Sequence, residues 1–309
     1  MKILNIEDLK TLNQKIVLSI GMFDGVHRGH LSLLEELKQE AKRLNCCSMV
    51  ISFDKHPRQV ISNNENEVSI LQSQEERWQK ISESGVDYLL ILHFTKQMAM
   101  LEASDFLDLV LNHIQPLSIL LGYDNRFGRK DSNQFDELLE KGNYKNIEIK
   151  RTQACIWHKE KQISSTQIRK ALLNGEITLA NQMLGYSYSL SGKVVDGYKI
   201  GRTLGFPTAN IEISNNKLLP KQGVYAVKCK IGEENLKAVL SIGERATFNF
   251  KGLCIEAHIF DFNKEIYSQT IEIEFIEKIR DQKKFATIEE LKEEIKRDCE
   301  HAKNILFSV

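Results

Sequence analysis

Two histidines three residues apart, His27-Arg-Gly-His30, stand just beyond an apolar run and a tight turn. The run Ile16-Val-Leu-Ser-Ile20 stops at Gly21 and turns through Asp24-Gly25. A helical pattern follows, with Leu34, Leu37, Ala41 and Leu44 on one face. Strand, turn and helix start together present free backbone N–H groups and the positive end of a helix dipole, which favours an anion. Three uses of the histidine pair are compatible with this setting. As zinc ligands they supply two of the three or four required, and no Cys, His or acidic cluster in the adjoining sequence completes a site. As packed or capping residues they need no ligand. As phosphate donors they fit a helix start where Gly29 removes a side chain at the point of closest approach. The patterns G-x-x-x-x-G-K-[ST] and G-x-G-x-x-G do not occur. A nucleotide at this turn would therefore be held in a His-x-Gly-His manner.

Other stretches are dense in chemically useful side chains. Gly122-Tyr-Asp-Asn-Arg-Phe-Gly128 places an aspartate, an arginine and two aromatics between glycines. It suits a planar, polar-edged ligand, and equally a surface turn with a local Asp–Arg pair. Phe53-Asp-Lys-His-Pro-Arg58 follows another strand end and is as ambiguous. In Ile163-Ser-Ser-Thr-Gln-Ile-Arg169, Ser164 or Ser165 can cap a helix that Gly175 ends. Capping accounts for the serines but not for Arg169, about one turn further along on the same side. Gly201-Arg-Thr-Leu-Gly-Phe-Pro-Thr-Ala-Asn210 holds more glycine, proline and polar side chains than a bare loop needs. Glu256, between Ile255 and Ala257, reads by itself as a solvent-facing glutamate, with His258 on the same strand face.

The elements that position these residues change character along the chain. In the first half, strands at Ile16–Ile20, Ser48–Phe53, Asp87–Leu92, Leu117–Leu121 and Asn146–Arg151 alternate with helical patterns. That order predicts a parallel, doubly wound α/β sheet, whose ligands bind at the carboxyl ends of strands. From about Tyr188 the period becomes two. Tyr225, Val227, Cys229 and Ile231 share one face, and Ile271, Ile273 and Phe275 alternate with Glu272 and Glu274. Short strands separated by turns predict a small antiparallel β-barrel. A last helix is expected to open with a Thr287/Glu290 capping box and to bury Ile288, Leu291, Ile295, Ala302 and Leu306. The change of period sets the domain boundary near Gly185, giving domains 1–185 and 186–309.

Composition narrows the classes. Lys plus Arg and Asp plus Glu are equal at 42 each in 309 residues, so no protein-wide nucleic-acid or anionic-membrane surface is indicated. No apolar run reaches the roughly 20 residues of a membrane helix. The N-terminal residues lack a secretory h-region and cleavage site. The six cysteines form no C-x-x-C, which points away from a zinc ribbon or a disulfide framework and toward a cytoplasmic protein.

Gly21-x-Phe-Asp-Gly-Val-His-x-Gly-His30 and Ser164-Ser-Thr-x-Ile-Arg169 resemble, in order and spacing, the two signature motifs of one family's adenylyltransferase domain. That family is the bacterial bifunctional riboflavin kinase/FAD synthetase. Gly122–Gly128 resembles its flavin-side loop. Phe53–Arg58 resembles its F-x-P-H-P-R segment, with Lys55 for proline, and Met22 stands for a common asparagine. Gly201–Asn210 is similar without mismatch to the riboflavin kinase signature G-R-T-L-G-F-P-T-A-N. Ser241–Phe248 departs from G-x-R-P-T-F at Ala246, and Cys254 replaces a frequent threonine.

The resemblance implies a Rossmann-like nucleotidyltransferase domain followed by a barrel kinase. Riboflavin and ATP would give FMN, and FMN and ATP would give FAD and pyrophosphate. It implies ATP on Gly21, Phe23, Asp24, His27, Gly29, His30, Ser165, Thr166 and Arg169, with His27, His30 and Arg169 catalytic. Asp124, Asn125 and Arg126 would face the flavin. The second ATP would lie on Gly201, Arg202, Thr208 and Asn210, with Mg²⁺ on Thr208 and Asn210 and Glu256 as base. The partners implied are small molecules, with no nucleic acid or membrane, and there is room for a weak homo-oligomer. Two rivals follow: an enzyme with one inactive half, and a barrel that only binds flavin or single-stranded RNA. Against the RNA reading, the barrel half is charge-mixed rather than a basic groove with stacking aromatics.

Overall fold

The structure, a computed structural model, describes residues 1–61, 69–123, 125–129, 132–152, 157–158, 161–197, 200–213, 216–244 and 253–307. Asp124 and the Arg245–Phe248 part of the Ser241–Phe248 segment lie outside the described residues. The chain forms two compact units, Met1–Ser165 and Thr166–Val309.

In the first unit the strands are β1 (Lys2–Leu4), β2 (Ile16–Ile20), β3 (Cys47–Phe53), β4 (Tyr88–Leu92), β5 (Ser118–Leu121), β6 (Asn143–Tyr144) and β7 (Ile147–Arg151). They make a seven-stranded sheet in the order β1-β4-β3-β2-β5-β7-β6. Every pairing is parallel except that of β6 with β7. Alternate residues of β2 enter two cores. Ile16, Leu18 and Ile20 pack with Phe106 and Leu107. Val17 packs with Leu33, Leu34 and Leu37 of the Arg28–Arg43 helix. Burial on both faces is why these strands read as near-continuous apolar runs. β1 has no counterpart among the predicted strands; its three residues join the edge at Tyr88–Leu90.

The strand order reverses at β2. β3 and β4 build outward on one side, and β5 starts again on the other. The crevice between the ends of β2 and β5 is thus the switch point at which open α/β sheets take ligands. Both Gly21 and Gly122 are the residues that leave those ends.

A two-stranded hairpin of β8 (Trp157–His158) and β9 (Lys161–Gln162) precedes the helix Ser165–Asn174. In the second unit β10 (Ser189–Val195), β11 (Ala209–Glu212), β12 (Gly223–Ile231), β13 (Glu234–Glu244), β14 (Leu253–Ile259) and β15 (Thr270–Arg280) close into a barrel. The order is β10-β11-β14-β13-β12-β15, and neighbours are antiparallel. Tyr225 and Phe275 meet edge to face at 5.3 Å, both fully buried. Tyr188 donates its hydroxyl to the Leu218 carbonyl at 2.6 Å.

The helix Ile177–Leu184 belongs to this unit: Asn181 donates to the Phe275 carbonyl and accepts from Tyr188 N–H, both at 2.8 Å. Compactness therefore divides the chain ahead of these helices, whereas the change of period falls after them.

The final helix Ile288–Phe307 buries Cys299, Ala302 and Leu306 against Val224, Ala226, Val239 and Phe260. Glu290 N–H donates to Thr287 Oγ1 at 3.1 Å, while the Glu290 carboxylate takes Ala286 N–H at 3.0 Å. Ile288, expected in the buried stripe, is 64% exposed because packing on the barrel begins only at Ile295, two turns on.

Candidate active sites

The Gly21–His30 turn is folded tightly enough to force unusual backbone. Phe23 (φ 55°) and Val26 (φ 22°) join Gly25 (φ 83°) at positive φ, a region costly for bulky side chains. Burial holds them there: Phe23 is 2% exposed and Val26 fully enclosed. A Cβ on Gly21 would come within 2.9 Å of the Phe23 ring and 3.1 Å of Asn125 Nδ2. The Asp24 carboxylate, also buried, accepts from Leu71 N–H (3.1 and 3.2 Å) and Gln72 N–H (3.3 Å). The Asp24 carbonyl accepts from Ser165 Oγ at 2.8 Å. Asp24 thus shapes the turn with both its acceptors.

His27 is the N-cap of the Arg28–Arg43 helix, its Nδ1 accepting from His30 N–H at 3.3 Å. An accepting Nδ1 places the proton of the neutral ring on Nε2, which is then a donor. The two rings stack 3.7 Å apart at 15°, and Phe23 packs 5.2 Å from His30. A side chain on Gly29 would press on the His27 ring at 3.2 Å. His30 Nδ1 is buried and has no hydrogen-bond partner among the described residues. Burial, and secondarily the neighbouring His27, push the His30 imidazole well below its ordinary pKa. Capping therefore occupies one nitrogen of His27 and leaves His30 without such a role. Among the described residues, no three His, Cys, Asp or Glu side chains gather as a metal site would require.

Across the switch point, Asn125 donates through Nδ2 to the Ile20 carbonyl, tying the loop after β5 to the end of β2. Arg126 pairs with Asp136 at 2.9 Å and lies 5.4 Å from the Phe135 ring. Arg77 was not among the predicted site residues, yet it is 2% exposed beneath the turn. Its Nη2 donates to the Phe53 carbonyl at 2.5 Å, and its Nη1 lies 4.0 Å from Met22 Sδ. Desolvation lowers its pKa, opposed by the charges of Asp24 and Asp54. Its sequence signal was available: Arg77 falls four residues before Ile81 on the buried stripe of the Gln74–Glu83 helix. Thr166 and Arg169 lie in the first turn and one turn on in the Ser165–Asn174 helix, within the second compact unit.

In the barrel, register builds a second cluster. Glu256 of β14 stands opposite Asn210 of β11 and Ser241 of β13, so the three form a row on one face. Cys254, Glu256 and His258 alternate with the buried Ile255, Ala257 and Ile259. Cys254 Sγ is 3.1 Å from Glu256 Oε1 and 3.5 Å from Asn210 Oδ1. His258 is committed elsewhere, its Nδ1 2.8 Å from the Pro207 carbonyl and its ring against Phe206.

The loop before β11 doubles back on itself. Phe206 N–H donates to the Gly201 carbonyl at 2.7 Å, and a Cβ on Gly201 would sit 2.3 Å from the Phe206 oxygen. Gly197 is a second position that the sequence did not single out. A Cβ there would fall 2.0 Å from Asn210 Nδ2, a constraint that arises only from the pairing of β10 with β11. Asn210 is 9% exposed, Thr208 half-buried and Arg202 exposed.

An FAD synthetase family model matches residues 9–167, and a riboflavin kinase family model matches residues 184–306. The bifunctional riboflavin kinase/FMN adenylyltransferase of Listeria monocytogenes is 37% identical, over 91% of this chain and 90% of its own length. That of Bacillus subtilis is 34% identical over 95% and 93%, and that of Escherichia coli K12 36% over 91% and 90%. This chain belongs to that bifunctional family. The riboflavin kinase/FMN adenylyltransferase family is N-terminal FAD synthetase and C-terminal kinase in order here, and the two clusters fall one in each matched segment. A crystal structure from Streptococcus pneumoniae, described as a macrolide-efflux protein, matches with a TM-score of 0.87 and 30% identity. The match covers 98% of this chain and 99% of that one. In the present chain no helix among the described residues is long and apolar enough to cross a membrane.

Proposed function

We infer that this chain makes both flavin cofactors in sequence. Riboflavin is phosphorylated by ATP to FMN on the barrel, and FMN is adenylylated by ATP to FAD on the α/β unit. The observation that carries this reading is the similarity to bifunctional enzymes over nine-tenths of the chain, with both family segments in order. The substrates are small molecules, and we assign the protein to the cytoplasm, with neither nucleic acid nor membrane as partner.

In the adenylylation an oxygen of the FMN phosphate bonds to the α-phosphorus of ATP. The bond from that phosphorus to the bridging oxygen breaks, and pyrophosphate leaves with the electron pair. The nucleophile comes ready-made, so the protein's work is positioning and stabilising charge. His27 Nε2–H, His30 and the amides after Gly21 are the donors at the switch-point turn. Gly29 keeps the approach open, while Phe23 and Asp24 act by fixing the turn's shape. The family resemblance adds Ser165, Thr166 and Arg169 as further phosphate donors, and Asp124, Asn125 and Arg126 on the flavin side. One such donor is worth roughly 3–4 kcal/mol of barrier.

In the kinase step Glu256 accepts the proton of the ribityl 5′-hydroxyl. The oxygen bonds to the γ-phosphorus and ADP leaves. A positioned base contributes roughly 10²–10⁴-fold. Thr208 and Asn210 offer hard hydroxyl and amide oxygens, a donor set that suits Mg²⁺ shared with phosphates. Gly201 and Gly197 leave space beside both side chains. Bound there, Mg²⁺ would neutralise phosphate oxygens, and Gly201 and Arg202 would border the nucleotide.

The test is incubation with riboflavin, ATP and Mg²⁺, resolving flavins over time. FMN should rise first and FAD follow, and a chelator should stop both. Formation of FMN alone, or of neither flavin, would overturn the reading.

A further inference from the structure

We propose that Cys254 is a positioning residue for the kinase step, its thiol holding the Glu256 carboxylate by an S–H···O hydrogen bond. The inference rests on Glu256 being the base. Cys254 and Glu256 are two apart on one strand and so share a face. β14 is paired on both sides, to β11 at Asn210 and to β13 from Ala238 to Glu244. The Cys254 sulfur is therefore fixed by its single χ angle, whereas the longer Glu256 side chain has three to fix. A thiol has one hydrogen. Between the Glu256 and Asn210 oxygens, the carboxylate at 3.1 Å is both nearer and the stronger acceptor than the amide oxygen at 3.5 Å. The sulfur thus spans the base and Asn210, the side chain placed beside the nucleotide. A base has to lie within hydrogen-bond reach of the proton it takes, and a 1 Å displacement costs on the order of 10²-fold.

The discriminating pair is Cys254→Thr and Cys254→Val, nearly isosteric side chains that differ in whether a hydroxyl can donate. Cys254→Ser serves as a second donor. The riboflavin-to-FMN kcat should stay within about threefold of the parent for Thr and Ser and fall about tenfold or more for Val. KM for riboflavin and ATP should be unchanged. FMN adenylylation by the same preparations should be unaltered, which reports that each variant is folded.

Equal kcat for Thr and Val, or a loss confined to KM, would reduce Cys254 to packing and overturn the proposal. Full kinase activity in Glu256→Gln alone would instead remove the base assignment on which it stands.

Discussion

At the residue scale, the stacked histidines and Glu256 make separable predictions. His30→Ala should abolish FAD formation from supplied FMN while leaving FMN formation from riboflavin. Glu256→Gln should do the reverse. A folded variant that loses both activities would sink the assignment of one residue to each reaction. His30 also predicts a pH dependence of stability. Its folded pKa lies well below the ordinary value of 6.5, through burial first and His27 second. The unfolded chain therefore binds a proton that the folded chain refuses. Stability is full above about pH 6.5 and is lost as pH falls from there toward the folded pKa. Urea midpoints followed down to about pH 5 should fall less steeply for His30→Gln than for the parent. Parallel slopes would clear His30 of this role. ATP, by favouring the protonated ring, should itself blunt the decline.

At the element scale, the strand–turn–helix of Ile16–Arg43 was legible because its parts announce themselves locally. Those parts are an apolar run, Asp24-Gly25, and a helix with one apolar face. Which groups pair up to support the turn was not legible, because the partners lie far apart along the chain. Leu71 and Gln72 hold Asp24, Arg77 reaches the Phe53 carbonyl, and Asn125 reaches Ile20. A buried Arg donating to a carbonyl contributes about 2 kcal/mol. Arg77→Leu should therefore lower stability by about that amount and slow adenylylation, leaving the kinase rate intact. An unchanged adenylylation rate would show that the turn needs no such brace. In the barrel, Glu256 looked solvent-facing by periodicity. The register, which periodicity does not show, sets it opposite Asn210 and Ser241. Ile288 failed for the complementary reason: a helical stripe says which face is apolar, not where the surface it meets begins.

At the scale of the whole molecule, the order of elements was readable because the hydrophobic period changes once, from helical alternation to period two. The short edge strands were not, since three residues at β1 and two at β6 carry no periodic signal. From Thr166 to Leu184 the helices keep the first half's period yet count with the second compact unit. With FMN proposed to form at one cluster and to be consumed at the other, the expectation is that FMN leaves one chain and is used by another. Mixing His30→Ala with Glu256→Gln should therefore restore FAD synthesis from riboflavin, although neither variant makes FAD from riboflavin alone. Failure of the mixture, with each variant keeping its remaining activity, would mean that FMN does not pass through solution.

The strand edges carry a last consequence. The barrel is closed, and the open sheet ends in strands of three and two residues. Exposed edges are templates on which a second chain can add a strand, and long flat ones invite aggregation. Ending the sheet in such stubs keeps that template short on both flanks. An apolar strand continued past Leu4, where β4 runs on to Leu92, would lengthen β1, and with it the tendency of concentrated protein to self-associate edge to edge.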